Sequence, residues 1–399
     1  MAEETLTLKD AAERVGVAAS TLKRWADAGL IPEAKRPGRW SAEAVAHARL
    51  VARLRERGHS LDQIRAATKE GRLAYGYVEA LFGEEASDLT MKQAAAETDL
   101  EPAMVERFWG SIGLPAAALE SLSTEDIDAL RYFASAIAAG FPLVALLQLC
   151  RVYGQALSQI ADAEVRLFHL YVHEPLMREG VPGMRIAQEM EVLASDLLPL
   201  ASPLMDFVHR RFVQHFLEQD VIGHMETGLE EGDDGDLGRV RTAIAFADLA
   251  GYTRFTEEEG EEEALSLVER FIEGVTNTLP EDARVIKTIG DEVMVVGPDV
   301  GALVDWAVGF SSLFDERPEP RIGIHWGTTV YRDGDYYGRE VNLASRVVAR
   351  ARAGEVLVTD SVVDAVAGPS HLRFENIGEV KLKGFNEPTQ LCRATAKET

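Results

Sequence analysis

Cysteine is nearly absent. Cys150 and Cys392 are the only two in 399 residues, far apart, which excludes a disulfide framework or a thiolate metal cluster and suits a reducing cytosol. Long apolar runs are also scarce. The longest, Tyr132–Leu147, is shorter than a bilayer span and is broken by Gly140 and Pro142, so a buried helix and no membrane anchor are expected. The N-terminal MAEETLTLKD has neither the basic nor the apolar stretch of a secretory signal, and a cytoplasmic location is expected. Positive charge is in short supply. Lys and Arg number 41 against 66 Asp and Glu, a net of −25, which opposes non-specific binding of the whole chain to nucleic acid or an anionic membrane.

The deficit is uneven. Met1–Glu70 holds 13 basic and 10 acidic residues, a net of +3, so the remainder holds −28. A small basic module is attached to a strongly acidic body. The chain is too long for one ordinary core, and its composition, 46% hydrophobic and 27% charged, is that of a globular protein with two to four domains.

One module occurs twice. LTLKDAAERVGVAASTLKRWADAGLIP from Leu6 matches LTMKQAAAETDLEPAMVERFWGSIGLP from Leu89, with Lys9/Lys92, Ala11–Ala12/Ala94–Ala95, Arg24/Arg107 and Trp25/Phe108 in register. After a one-residue adjustment, Ser41, Glu43, Val45, Arg49, Gly58 and Leu61 align with Ser123, Glu125, Ile127, Arg131, Gly140 and Leu143. Each copy reads as helix, turn, helix and a further helix pair. In the first, Leu8, Ala11, Ala12 and Val15 recur at helical spacing, Gly16 marks the turn, Ser20 is the expected N-cap of a helix over Thr21–Ala28, and Gly29 and Pro32 end it. Helical patterning follows from Leu143 to about Gly180 and from Gly183 to about Met225. The acidic, glycine-rich GLEEGDDGDLG, Gly228–Gly238, reads as a linker.

Beyond it the texture changes. Strands are expected at Arg241–Leu249, Arg284–Ile289, Glu292–Val296, Arg321–Trp326 and Glu355–Thr359, with helices at Glu257–Asn277, Val300–Phe314 and Val341–Arg352. Gly290–Asp291 carries a hairpin signal. Alternation of strand and helix implies an α/β domain on one sheet. The expected organisation is a helix-turn-helix module over 1–75, a helical region over 84–226 that opens with the second copy, a linker over 227–239, and the sheet domain over 240–399.

That last domain contains FADLAGYT, KTIGD, DYYGREVNLASR and EVKLKGFNEP in order. Together these resemble the class III nucleotidyl cyclases over about Arg241–Arg393. The resemblance implies an α+β, ferredoxin-like catalytic domain that turns ATP into cyclic AMP and pyrophosphate with two divalent ions, Mg²⁺ or Mn²⁺. In-line attack of a ribose 3′-oxygen on the α-phosphorus needs cations to acidify the hydroxyl and neutralise the triphosphate, and hard cations need carboxylates. Asp248 ends a strand and Asp291 sits in the tight turn after Gly290. The resemblance makes them the metal ligands, with Leu249 beside Asp248 in the metal set. The backbone after Asp248, through Gly251 and into the helix start near Thr253, would offer amides to the phosphates.

By the same resemblance Lys287 and Asp335 read the base. A carboxylate beside the 6-amino group and an ammonium beside N1 complement adenine and clash with guanine. Asn342 and Arg346, four apart on a helix, share a face. The first is implied to orient the ribose and the second to stabilise charge on the α-phosphate. Lys381 or Lys383 reaches the distal phosphates, with Lys383 preferred. Family sites lie across a dimer, and this chain has the whole set, so a homodimer with two sites is implied. Arg339 and Glu340 have no role on this reading.

The first repeat resembles the MerR family of winged helix-turn-helix proteins through VAASTLKRWADAGLIP, KRPGRWS and LRERGHSLDQI. Lys23 and Arg24 would lie on the recognition helix, and Lys35, Arg36 and Arg39 on the turn and wing. Two alternatives stand: a DNA-binding module, or the same fold retained for dimerisation or signalling. The second copy, with Glu101 and Glu106 beside Arg107, is read as lacking DNA contact. The long helix over Leu143–Glu179 is expected to pair with its twin. Gly180–Met225 and the helices before it resemble the regulatory region of soluble actinobacterial cyclases, some of which respond to pH. Five of nine histidines fall there: His169, His173, His209, His215 and His224. His169 and His173 could chelate a metal, or lie on a plain helix face. A transcription regulator that uses the sheet domain as a nucleotide sensor is the alternative function.

Overall fold

A computed structural model describes residues 6–31, 39–73, 89–115, 119, 122–181, 183–227, 238–314, 316–366 and 371–397. Lys35, Arg36, Pro32 and nearly all of the expected linker lie outside these. The chain divides into two compact units, Met1–Glu218 and Gln219–Thr399.

The first unit opens with β1 (Leu6–Thr7), α1 (Leu8–Val15), α2 (Ala19–Asp27), β2 (Arg39–Trp40), α3 (Ala42–Glu56) and α4 (Leu61–Lys69). Ala11, Ala12, Leu22, Trp25, Trp40, Val51 and Ile64 form its core. Helix α2 begins earlier than the sequence suggests. The turn at Gly16, φ 74°, is closed by Val17 N–H to Ala12 O, and Ala18 is the N-cap with no side-chain bond, so Ser20 lies inside the helix.

The second copy gives α5 (Met91–Glu97), α6 (Pro102–Ile112) and α7 (Thr124–Ala138). The copies agree in detail. Thr7 and Thr90 cap α1 and α5, and Ser41 and Ser123 cap the 15-residue α3 and α7. Gly58 and Gly140 follow those helices at φ 91°, a left-handed stop. The β1–β2 pairing, Leu6 opposite Trp40, recurs as a bridge between Leu89 and Leu122.

Helix α8 (Leu143–Phe168) runs through a π turn at His169–His173 into α9 (Glu174–Arg178), and α10 spans Gly183–Thr227. Helix α10 is continuous despite Pro199 and Pro203, both exposed, because solvent can satisfy the carbonyls they free. Apolar side chains stay exposed along α8 and α10, among them Leu157, Ile160, Leu204 and Phe212. No helix among the described residues is long and apolar enough to cross a membrane.

The second unit contains β3 (Arg239–Leu249), α11 (Tyr252–Glu259), α12 (Glu261–Thr278), β4 (Arg284–Ile289), β5 (Glu292–Gly297), α13 (Val300–Leu313), β6 (Pro320–Arg332), β7 (Asp335–Tyr337), α14 (Arg339–Val348), β8 (Val356–Thr359), α15 (Asp360–Ala365), β9 (Leu372–Val380) and β10 (Thr389–Ala396). The sheet order is β4-β5-β3-β6-β8-β10-β9, with β7 on β6. Only β6 and β8 pair in parallel; the rest are antiparallel, of which β4–β5, β6–β7 and β9–β10 are hairpins. The helix expected over Glu257–Asn277 is two helices, because Gly260 at φ 94° cannot continue α11.

Strand alternation gives the sheet two faces. Ala243, Ala245, Ala247, Val293, Val295, Ile322 and Ile324 meet α12, α13 and α15 in the main core. Ile244, Phe246, Met294 and Val296 face the other way, onto Val341, Ala344 and Val348 of α14. That second face carries the candidate site residues expected on α14.

Candidate functional site

Asp248 follows Ile244 and Phe246 in the alternation and so stands at the edge of the α14 face. It is opposite Glu292 on β5 and Arg321 on β6. One Asp248 oxygen accepts from both Nε (2.7 Å) and Nη2 of Arg321. Asp291 occupies the β4–β5 turn, where Gly290 supplies φ 65°. Burial first, then the hydrogen bond that the protonated carboxyl donates to Asp248 and the charge of Asp248, raises Asp291 to about 7. Glu292 is raised as well, chiefly by burial and then by Asp248, against the pull of Arg321 and Arg346. Two close carboxylates that resist ionising together are a donor set suited to a hard divalent cation. Leu249 is 1% exposed with its side chain in the main core, so only its backbone is available to a metal. Among the described residues no cluster of three or more acidic, histidine or cysteine side chains forms a metal site.

Lys287 reaches the same face through a bulge. Val285 pairs with Val295 of the main core, but after the register shift Lys287 pairs with Met294. In an unbulged strand Lys287 would pair with Val293 and its ammonium would point into the helical core. Asp335 starts β7 after the Asp333–Gly334 turn, both residues at positive φ as a two-residue hairpin requires. Lys287 Nζ donates to Asp335 Oδ2, and Tyr336 N–H donates to Oδ1 at 2.8 Å. Asn342 and Arg346 are exposed on α14, opposite the side buried by Val341, Ala344 and Val348. Lys383 is exposed in the β9–β10 loop. That loop is tied to α14 by buried Leu382 and by Phe385, whose ring lies 5.2 Å from the Arg339 guanidinium.

Three family models match the chain: MerR HTH family regulatory protein over residues 6–70, adenylate cyclase regulatory domain over 40–216, and adenylate and guanylate cyclase catalytic domain over 239–393. An adenylate cyclase of Streptomyces coelicolor is 32% identical over 272 residues, 67% of this chain and 68% of that protein. The chain belongs to the class III adenylate cyclases. The cyclase is also 29% identical over 362 residues, 87% of each chain, to the pH-sensitive adenylate cyclase MT1302 of Mycobacterium tuberculosis. With an adenylate cyclase of Streptomyces griseus the identity is 30% over 274 residues, 67% and 65% of the two chains.

In the cyclase's first unit, Lys23 and Arg24 are exposed on α2 and Arg39 is exposed on β2. His169 and His173 do not lie on a plain helix face. The π turn brings their Nδ1 atoms to 3.0 Å, and buried His173 meets Gly71 O through Nε2 at 2.8 Å. With Nε2–H donating to that carbonyl, Nδ1 of His173 accepts from Nδ1–H of His169. His209 and His215 are exposed on α10.

Sequence reading missed Arg321, Glu292 and the partners of Glu340. Arg321 carries no signal in the sequence, because its register opposite Asp248 is a property of the sheet alone.

Proposed function

We propose that this cyclase converts ATP to 3′,5′-cyclic AMP and pyrophosphate at two sites formed across a homodimer, under control of its helical half. The observation that supports ATP as the substrate is the Lys287–Asp335 pair. Adenine N6–H₂ would donate to Asp335 and N1 would accept from Lys287, so the base replaces the mutual ion pair with two bonds of matching polarity. Guanine presents the opposite polarity at both atoms.

Asp248 and Asp291, with the backbone at Leu249, would hold two divalent ions, Mg²⁺ or Mn²⁺, which acidify the ribose hydroxyl and neutralise the triphosphate. Asn342 orients the ribose. Arg346, permanently charged, grips α-phosphate oxygens as charge builds on them. Lys383 contacts the distal phosphates. Asn342 and Arg346 face outward on α14, which suits residues that act on a nucleotide shared with a second copy. The exposed apolar side chains of α8 and α10 suit pairing of long helices in the same dimer.

Purified full-length chain with ATP and Mn²⁺ should release cyclic AMP, and Asp291→Ala should abolish it. Retained activity in that variant would sink the assignment. If the sites are shared, mixing Asp291→Ala with Arg346→Ala chains restores part of the activity, whereas two inert proteins that stay inert on mixing refute the shared site. Regulation is tested by comparing the full chain with residues 241–399 across pH 5–8, a range suggested by the pH-sensitive relative.

The match to MerR regulators and the exposed Lys23, Arg24 and Arg39 favour a second activity, DNA binding by the first module. Salt-dependent, sequence-selective binding lost in Lys23→Ala, Arg24→Ala and Arg39→Ala would support it; absence of binding in a sequence selection removes it.

A further inference from the structure

The proposed chemistry leaves one buried polar cluster without a part. Strand β6 alternates strictly: Ile322, Ile324 and Trp326 meet the main core, while Gly323, His325 and Gly327 face α14. Helix α14 is held on that face at both ends. At its C-terminal end a Cβ on Gly323 would stand 2.2 Å from Val348 N, so helix and strand backbones are in direct contact. At its N-terminal end the hold is polar. His325, 6% exposed, reaches Glu340 in the first turn, Nε2 to Oε2 at 2.5 Å.

The other side of the imidazole is equally committed. Its Nδ1 lies 2.9 Å from Thr359 Oγ1 and 3.3 Å from Ser361 Oγ. Ser361 donates its hydroxyl proton to Trp326 O at 2.8 Å, which leaves Thr359 as the donor to Nδ1 and Nε2–H as the donor to Glu340. Thr359 is the N-cap residue of α15, yet its side chain does not cap that helix. Its hydroxyl serves His325 instead. Room for the bridge is also specific: a Cβ on Gly327 would meet Nε2 at 2.8 Å and the Glu340 Cγ and carboxylate at 3.2 Å. Arg339 donates to the second Glu340 oxygen at 3.2 Å.

We propose that His325 and Glu340 are positioning residues for cyclisation: their bridge fixes the rotation and height of α14 on β6 and so sets where Asn342 and Arg346 stand. This rests on the roles given above to those two residues. Apolar contacts between α14 and the sheet are non-directional and tolerate small slides, whereas a hydrogen bond to a carboxylate fixes both distance and direction. Glu340 does not act on substrate itself. At about 100° per residue, Asn342 and Arg346 lie roughly 200° and 240° round the helix from it, on the opposite side. The bridge therefore acts through the helix.

Full-length dimer is the test material. Glu340→Ala and His325→Ala should each lower kcat tenfold or more and leave KM for ATP within twofold. Glu340→Gln, which keeps an acceptor for Nε2–H, should recover kcat to within threefold of wild type. Because the bridge serves Asn342 and Arg346 together, adding Glu340→Ala to an Asn342→Ala/Arg346→Ala chain should cost less than a further twofold. Wild-type kcat in Glu340→Ala, or a full tenfold loss repeated in the Asn342→Ala/Arg346→Ala background, overturns the proposal. Should either alanine variant fail to fold, Thr359→Val removes the Nδ1 donor, together with a 3.0 Å bond to Ser361 Oγ, and should lower kcat with KM unchanged; unaltered kcat there overturns it equally. A wild type that makes cyclic AMP while Arg346→Ala is fully active would instead refute the role of Arg346.

Discussion

Gly323→Ala puts the geometry of α14 to the most direct test. The added methyl would lie 2.2 Å from Val348 N, 2.6 Å from its Cα and 2.8 Å from Val347 C, all helix backbone. Ordinary contact begins near 3.4 Å, so the helix must retreat from β6 by roughly 1.2 Å or the strand must bow by as much. No rotamer relieves this, because neither partner is a side chain. Retreat loosens Val341, Ala344 and Val348 from Phe246 and Met294. Overpacking of this kind costs about 1–3 kcal/mol, a fall in unfolding midpoint of roughly 3–10 °C for a unit of this size. Arg346, proposed above to grip the α-phosphate, is two residues from the clash, and a ~1 Å misplacement of a catalytic group can cost on the order of 100-fold in rate. Calorimetry of the full chain and steady-state cyclic AMP production measure both. A Gly323→Ala protein with unchanged midpoint and kcat would refute the account of how α14 is seated.

Gly309→Ala, inside α13 with nothing within 4 Å of the new methyl, should instead stabilise by about 0.5–1 kcal/mol with kcat unchanged. Lys287→Glu combined with Asp335→Cys should cut turnover of ATP and raise the GTP-to-ATP ratio of kcat/KM; an unchanged ratio argues against base reading by this pair. Burial keeps His47 below its usual pKa, and keeps His325 low despite the nearby Glu340. Both imidazoles are then neutral when folded while the unfolded chain takes up protons, so stability falls as pH drops below about 6.5. Ring titration by NMR should place both midpoints under 6.5, and a midpoint above that value contradicts the sign.

The sequence alone carried the chemistry of the catalytic unit and the duplication of the first. Four short motifs supplied the candidates Asp248, Asp291, Lys287, Asp335, Asn342 and Arg346, because each motif holds its residues within a short stretch of chain: a strand end, a bulged hairpin, a tight turn or one helix face. The repeat at 82–83 residues was legible because capping and stop residues recur with it, from Thr7 and Thr90 to Gly58 and Gly140. Other features depended on contacts between distant segments. A bulge between Val285 and Lys287 decides which face the ammonium takes, and a bulge leaves little trace in composition. Arg321 meets Asp248 across 73 residues, and His325 meets Glu340 and Thr359 from three elements. Glu340 had no assignable part in the sequence for that reason. Periodicity reports which residues turn inward; only the packed sheet decides which of them meet.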